Sequence, residues 1–159
     1  MPHVCVIPMS DMEILSLPNE PFLKEVSALL AEGRHVTIRT RGNSMLPFIH
    51  DGYDVELCRK SDVMTGDIVL AYTRDGRFVL HRVADIQGEE VTLMGDGNLS
   101  GTEQCLKKDI SGTVLYIFDR KGRRKQCDSV SMKVKSWIWV RLKPLRRYIL
   151  GIYRRLICV

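Results

Sequence analysis

From His35 to Phe118 the sequence holds no helical period; it proceeds in short β-branched runs separated by turn residues. Val36-Thr37-Ile38-Arg39-Thr40 alternates, and Val55 to Cys58, Ile68 to Tyr72, Phe78 to Val83, Glu90 to Met94 and Gly112 to Phe118 follow at intervals typical of β proteins. Thr65-Gly66-Asp67, Arg74-Asp75-Gly76 and Gln87-Gly88-Glu89 supply the turns. Two extended runs flank Arg74-Asp75-Gly76, so Ile68 to Val83 reads as a hairpin. The expected fold is mainly β, built from coiled or barrel-like antiparallel β-sheets.

Two further elements flank that body. Val4 to Pro8 is a short strand candidate, and Asn19 opens a helix whose Phe22, Leu23, Val26, Leu29 and Leu30 recur at helical spacing before Gly33 ends it. Such a helix packs on a sheet. Beyond Arg120 the chain turns basic, and from Met132 to Val159 apolar and aromatic residues interleave with Lys and Arg; Pro144 divides this tail into two helical pieces. The expected organisation is 1–34 as a strand and helix packed on the domain, 35–119 as the β domain and 120–159 as a basic amphipathic tail.

Composition narrows the function classes. The 159 residues are 45% hydrophobic and 27% charged, an ordinary globular balance. The net charge of +5 is unevenly spread, since Met1 to Gly101 is net acidic and basic residues crowd Arg120 to Arg155. Five widely spaced cysteines without a Cys-x-x-Cys pair argue against a disulfide framework or a zinc site and for a reducing compartment. No stretch approaches the roughly 18 consecutive apolar residues of a membrane span, and the amino terminus lacks the pattern of a secretory signal. The expected location is cytoplasmic, or peripheral at the inner face of a membrane. Histidines and cysteines lack metal-ligand spacing, and no phosphate-binding glycine loop is present, so neither a metal nor a cofactor is implied.

Three segments carry residues capable of chemistry. In Arg41-Gly42-Asn43-Ser44-Met45-Leu46-Pro47, Gly42 permits a sharp turn and Pro47 fixes the exit, so Ser44 sits on a constrained loop end. Alone, a serine in such a loop reads as a turn residue. His81 interrupts the strand Phe78 to Val83; a lone strand histidine is usually structural, but neutral imidazole suits the task of taking a proton from a serine hydroxyl. In Gly95-Asp96-Gly97-Asn98 a carboxylate follows a strand, where it either forms the turn or accepts the second ring N–H of His81, as in a triad.

Taken in order, Gly42-Asn43-Ser44-Met45-Leu46-Pro47, Gly66-Asp67-Ile68-Val69, His81-Arg82-Val83 and Gly95-Asp96-Gly97-Asn98 resemble the type I signal peptidase and SOS-repressor autoprotease superfamily. The resemblance covers Val36 to Phe118. It implies that Ser44 is the nucleophile and His81 the base, a position usually held by Lys in bacterial enzymes and repressors. His81-Arg82-Val83 is nearest to the His-containing branch of the endoplasmic reticulum, archaea and some spore-forming bacteria. Gly42 stands where signal peptidases usually carry a second Ser, so oxyanion donors would be backbone amides around Ser44 and Gly42. In the His branch an acidic residue lies a few positions beyond the Gly-Asp box, where this chain has Thr102 and Glu103, with Asp109 later. The third member therefore reads as Asp96 first, Asp109 next, or is absent from a working Ser–His dyad. Met45 and Pro47 are the expected substrate-binding positions.

The resulting expectation is a serine endopeptidase that cleaves leader or signal peptides by acyl transfer, with a precursor peptide as partner, bound as an extended strand. Two other readings stand beside it. One is a catalytically inactive β module whose basic aromatic tail, Met132 to Val159, meets an anionic membrane surface or a protein partner. The other is a self-cleaving regulator, disfavoured because about 35 residues before the β body leave no room for a helix-turn-helix domain. A net charge of +5 argues against nucleic acid as partner. For the tail, a helix packed on the domain with a solvated charged face is the plain alternative to membrane contact.

Overall fold

The computed structural model describes residues 20–157; the strand expected at Val4 to Pro8 and the Asn19 cap lie outside them. Helix α1 (Glu20–Ala31) ends at Gly33, whose φ of +81° gives the chain its left-handed exit. Its buried residues Val26 and Leu30 face the sheet. Leu30 fits because Gly112 lies beneath it: a Cβ there would stand 2.9 Å from Leu30 Cδ1 and 3.1 Å from the Cys58 carbonyl.

Strands β1 (Val36–Arg39), β2 (Asp54–Cys58), β3 (Ile68–Tyr72), β4 (Phe78–Gln87), β5 (Glu90–Met94), β6 (Glu103–Leu106), β7 (Ile110–Phe118) and β8 (Arg124–Gln126) form one antiparallel sheet. Its order is β1-β2-β7-β3-β4-β5-β6, with β8 against β7, and it curls into a half-barrel. The fold is mainly antiparallel β with helices at both ends, as the short alternating runs imply. The curl gives the sheet a core on each face. Val55, Leu57, Ile68, Leu70 and Val114 pack with α1 on one side, while Val69, Ala71, Val83, Leu93 and Cys105 pack on the other. Ile68 to Ala71 is an unbroken apolar run because its alternate residues supply both cores.

Two strands escape hydrophobic patterning. The polar run Arg124–Gln126 is exposed throughout, and backbone pairing with Tyr116 to Phe118 holds it. The four-residue β6 is too short for alternation to register. Strand β4 runs past Val83 to Gln87, because a bulge between Val83 and Asp85 absorbs the break in alternation.

Past β8, Ser129 caps helix α2 (Val130–Arg141) by accepting from the Met132 amide, and a 3₁₀ turn at Lys143–Leu145 leads into α3 (Arg146–Ile157). Pro144 sits in that turn and divides the helices. Trp139 and Leu150 pack on Leu46, with Phe48, Ile149 and Tyr153 around them, so both helices press on the loop that carries Ser44. Among the described residues no helix is long and apolar enough to cross a membrane.

Candidate active site

The Ser44 loop is anchored on both sides. Met45, Leu46 and Ile49 are buried, and the amides of Phe48 and Ile49 both donate to the Met45 carbonyl. Gly42 takes a φ of +85°, and its amide donates to Asp51 Oδ1 at 2.9 Å. Between these anchors Ser44 is half-buried, and its own amide donates to no group among the described residues.

The glycines after β5 hold this loop against the sheet. A Cβ on Gly95 would stand 2.5 Å from the Ser44 carbonyl oxygen, and one on Gly97 would stand 2.4 Å from that of Asn43. With no side chain in the way, the Gly97 amide donates to Ser44 O at 2.8 Å. The pairing Arg82↔Met94, carried one step on, puts His81 opposite Gly95. The Ser44 main chain therefore lies against the turn that follows β5, at the end of the strand that pairs with the His81 strand.

His81 is buried, and its Nδ1 lies 2.9 Å from Glu103 Oε2. Glu103 pairs with Leu93 on the far side of β5, so the two side chains meet above that strand. Glu103 is buried too, and its second oxygen accepts from Arg77 Nη2 at 3.2 Å. A carboxylate that is ionised only accepts, so opposite such a Glu103 the proton sits on Nδ1, and Nε2 of a neutral ring keeps its lone pair. Among the described residues the one buried side-chain nitrogen or oxygen without a partner is Thr113 Oγ1. His81 Nε2 has no hydrogen-bond partner among the described residues.

Asp96 has a different task from the expected one. It takes a two-pronged contact from Arg82, Nε to Oδ1 and Nη2 to Oδ2, both at 2.7 Å. Arg82 Nη1 donates to the Gly66 carbonyl and to Ser136 Oγ, and the guanidinium lies 4.7 Å from the centre of the Phe48 ring. Trp139 Nε1 donates to the Asp96 carbonyl. Successive strand residues point to opposite faces, so Arg82 and Asp96 lock the sheet, the Ser44 loop and α2 together behind the face that carries His81.

The profile of the Peptidase S24-like family matches residues 12–115, well over half of the chain. The chain belongs to the Peptidase S24-like family. No curated protein matches it. Membership makes this, at the coarse level, a serine-protease or self-cleaving fold. Helices α2 and α3 lie beyond the matched span, yet they brace the S24-like site. Tyr153 Oη is 2.7 Å from His50 Nε2, and Arg154 Nη2 donates to the Gly97 carbonyl at 3.1 Å.

Against this geometry several expectations for the S24-like site are corrected. Asp96 does not orient His81, because Arg82 takes both its oxygens. Asp109 does not either: it stands in the 3₁₀ turn Lys107–Asp109, and its carboxylate accepts from the Leu106 amide. Gly42 is not a free oxyanion donor, since Asp51 holds its amide. Met45 is a core residue rather than a substrate contact, being only 4% exposed. Pro47 is half-buried, after a cis peptide bond. The carboxylate that meets His81 is Glu103, which was not among the expected third members although it stands a few positions past Gly95-Asp96-Gly97. Among the described residues no cluster of His, Cys, Asp and Glu could hold a metal ion.

Proposed function

We propose that this S24-like protein is a serine endopeptidase in which Ser44 is the nucleophile, His81 the general base and Glu103 the residue that orients His81. The observation that carries this reading is the buried His81–Glu103 pair, with the Ser44 loop fastened to the glycine turn that follows the neighbouring strand.

His81 Nε2 takes the Ser44 proton as Oγ attacks the scissile carbonyl, and Glu103 stabilises the resulting imidazolium. The Ser44 amide, which donates to no group among the described residues, turns to the oxyanion; one such donor is worth about 2.7–4 kcal/mol. His81 then protonates the leaving amine, and water enters the acyl-enzyme with His81 again as base. Contacts between nucleophile and base commonly tighten only when substrate seats. The substrate is an extended leader or signal peptide with a small side chain such as Ala before the cut, as the resemblance to the His-containing signal peptidases implies.

The test compares the protein with Ser44→Ala and His81→Ala, each alone, on a mixture of leader-type peptides read by mass spectrometry. Cleavage disappears in both variants if the reading holds; wild-type cleavage by either overturns it. Family membership favours self-cleavage as the second reading. It requires the intact mass to fall with time in the wild type and stay constant in Ser44→Ala.

A further inference from the structure

The inner sides of α2 and α3 are explained by their packing on the Ser44 loop, but their outer sides are not. Twelve large apolar side chains are exposed among the described residues, and nine belong to 130–157. That concentration is beyond what scattered surface apolars account for. On α2 the exposed residues Val130, Val134, Trp137 and Ile138 fall opposite the buried Met132, Ser136 and Trp139. On α3, Tyr148, Ile152 and Leu156 follow one another at intervals of four, which aligns them along one side of the helix. Both helices are thus apolar where they meet the domain and again where they meet solvent.

The charges on these helices are of one sign. Residues 130–157 contain eight Lys and Arg and no Asp or Glu. Arg146 is buried on the Trp139 carbonyl, and the other seven are exposed. Among the described residues their nearest carboxylate contact is Lys133 with Asp128, at 4.0 Å. Arg141 lies over the Trp137 ring, 4.4 Å from its centre, so cation and aromatic stand side by side on the outer surface.

We propose that α2 and α3 form a docking surface for an anionic lipid bilayer. Exposed Trp and Tyr suit headgroup depth, the aliphatic stripes enter the acyl boundary, and flexible cations reach lipid phosphates while their stems stay apolar. Nucleic acid would use the cations but gains nothing from Ile152 and Leu156. A bilayer uses both components and asks for no matching shape. No crossing of the membrane is involved, and this inference stands independently of peptidase activity.

The test is co-sedimentation of the full chain with vesicles of phosphatidylcholine alone and of phosphatidylcholine mixed with phosphatidylglycerol, at low and high salt. Binding is expected to the mixed vesicles only, weakened by salt, and at least about tenfold weaker in Ile152→Ser/Leu156→Ser. Should that variant melt early, Lys133→Gln/Lys135→Gln/Arg147→Gln supplies the same reading through lost preference for the anionic lipid. Ser44→Ala binds like the wild type. Absent binding, or equal binding to both vesicle types, overturns the proposal. So does a concentration-dependent dimer that Ile152→Ser/Leu156→Ser abolishes without lipid, because the surface then belongs to a second copy.

Discussion

Glu103→Gln separates an orienting carboxylate from one that only fills space. The His81–Glu103 contact is 2.9 Å long, with each side chain about one-tenth exposed, so solvent screens it little. The Gln side chain keeps the shape and an accepting oxygen but loses the charge that steadies the imidazolium. A hydrogen bond to a charged group contributes about 1.5–3 kcal/mol, which at about 1.36 kcal/mol per decade corresponds to a loss of about 10- to 150-fold in rate. The loss should fall on kcat and leave KM nearly unchanged, because Glu103 acts through His81. Arg77 does not compensate: it is more than half exposed, and its pairing with Glu103 is worth little in solvent. Steady-state kinetics on the peptide best cleaved by the wild type gives the answer. Activity within about twofold of wild type, alongside an inactive Ser44→Ala, would refute the orienting role.

Three other perturbations read different parts of the architecture. Gly97→Ala puts a methyl 2.4 Å from the Asn43 carbonyl and displaces the Ser44 loop; we expect a loss of about 100-fold in kcat with a melting temperature lowered by overpacking. Burial, aided by Lys125, holds the His50 imidazole below its ordinary value of 6.5, against the opposing pull of the Pro47 carbonyl. The unfolded chain therefore binds the proton more readily, and stability present at neutral pH falls as the pH drops through that value; His50→Gln should flatten this part of a thermal-melt series. Burial pushes the Cys127 thiol up to about 12 and that of Cys105 to about 11. Alkylation at mildly alkaline pH, mapped by peptide, should leave both unlabelled until denaturant is added.

The β architecture was legible because its principal strands alternate between two faces and are closed by glycine turns. Strand β8 was not, since Arg124-Lys125-Gln126 buries nothing and follows from pairing alone. Ser44 and His81 stand out as candidates because a hydroxyl on a constrained loop and an imidazole within an apolar strand are both chemically conspicuous. Asp96 misled for a physical reason: a carboxylate between two glycines looks available, and only tertiary structure reveals that Arg82 occupies it. Glu103 lay in a strand too short to show which face it served. The tail's two helices followed from Pro144, but their seat on Leu46 and Phe48 depends on long-range packing that helical period does not encode.

His81 and Arg82 are neighbours that face opposite ways, and that alternation divides chemistry from scaffolding. Arg82 and Asp96 are 3% and 1% exposed, so desolvation takes back much of their attraction. Such a pair contributes geometry more than stability. Its donors tie Gly66, Ser136 and Asp96 together, and the residues flanking Asp96 are the glycines that seat Ser44. Two variants separate the contributions. Asp96→Leu alone leaves the Arg82 charge buried and unpaired and should cost about 3–5 kcal/mol in denaturant unfolding. Arg82→Met/Asp96→Leu removes both charges and should recover most of that loss, or exceed wild-type stability, while kcat remains depressed by about 100-fold because Ser44 is no longer held in register. A double variant that is both stable and fully active would show that the apolar core alone aligns the nucleophile, and the ion pair would then have no part in positioning it.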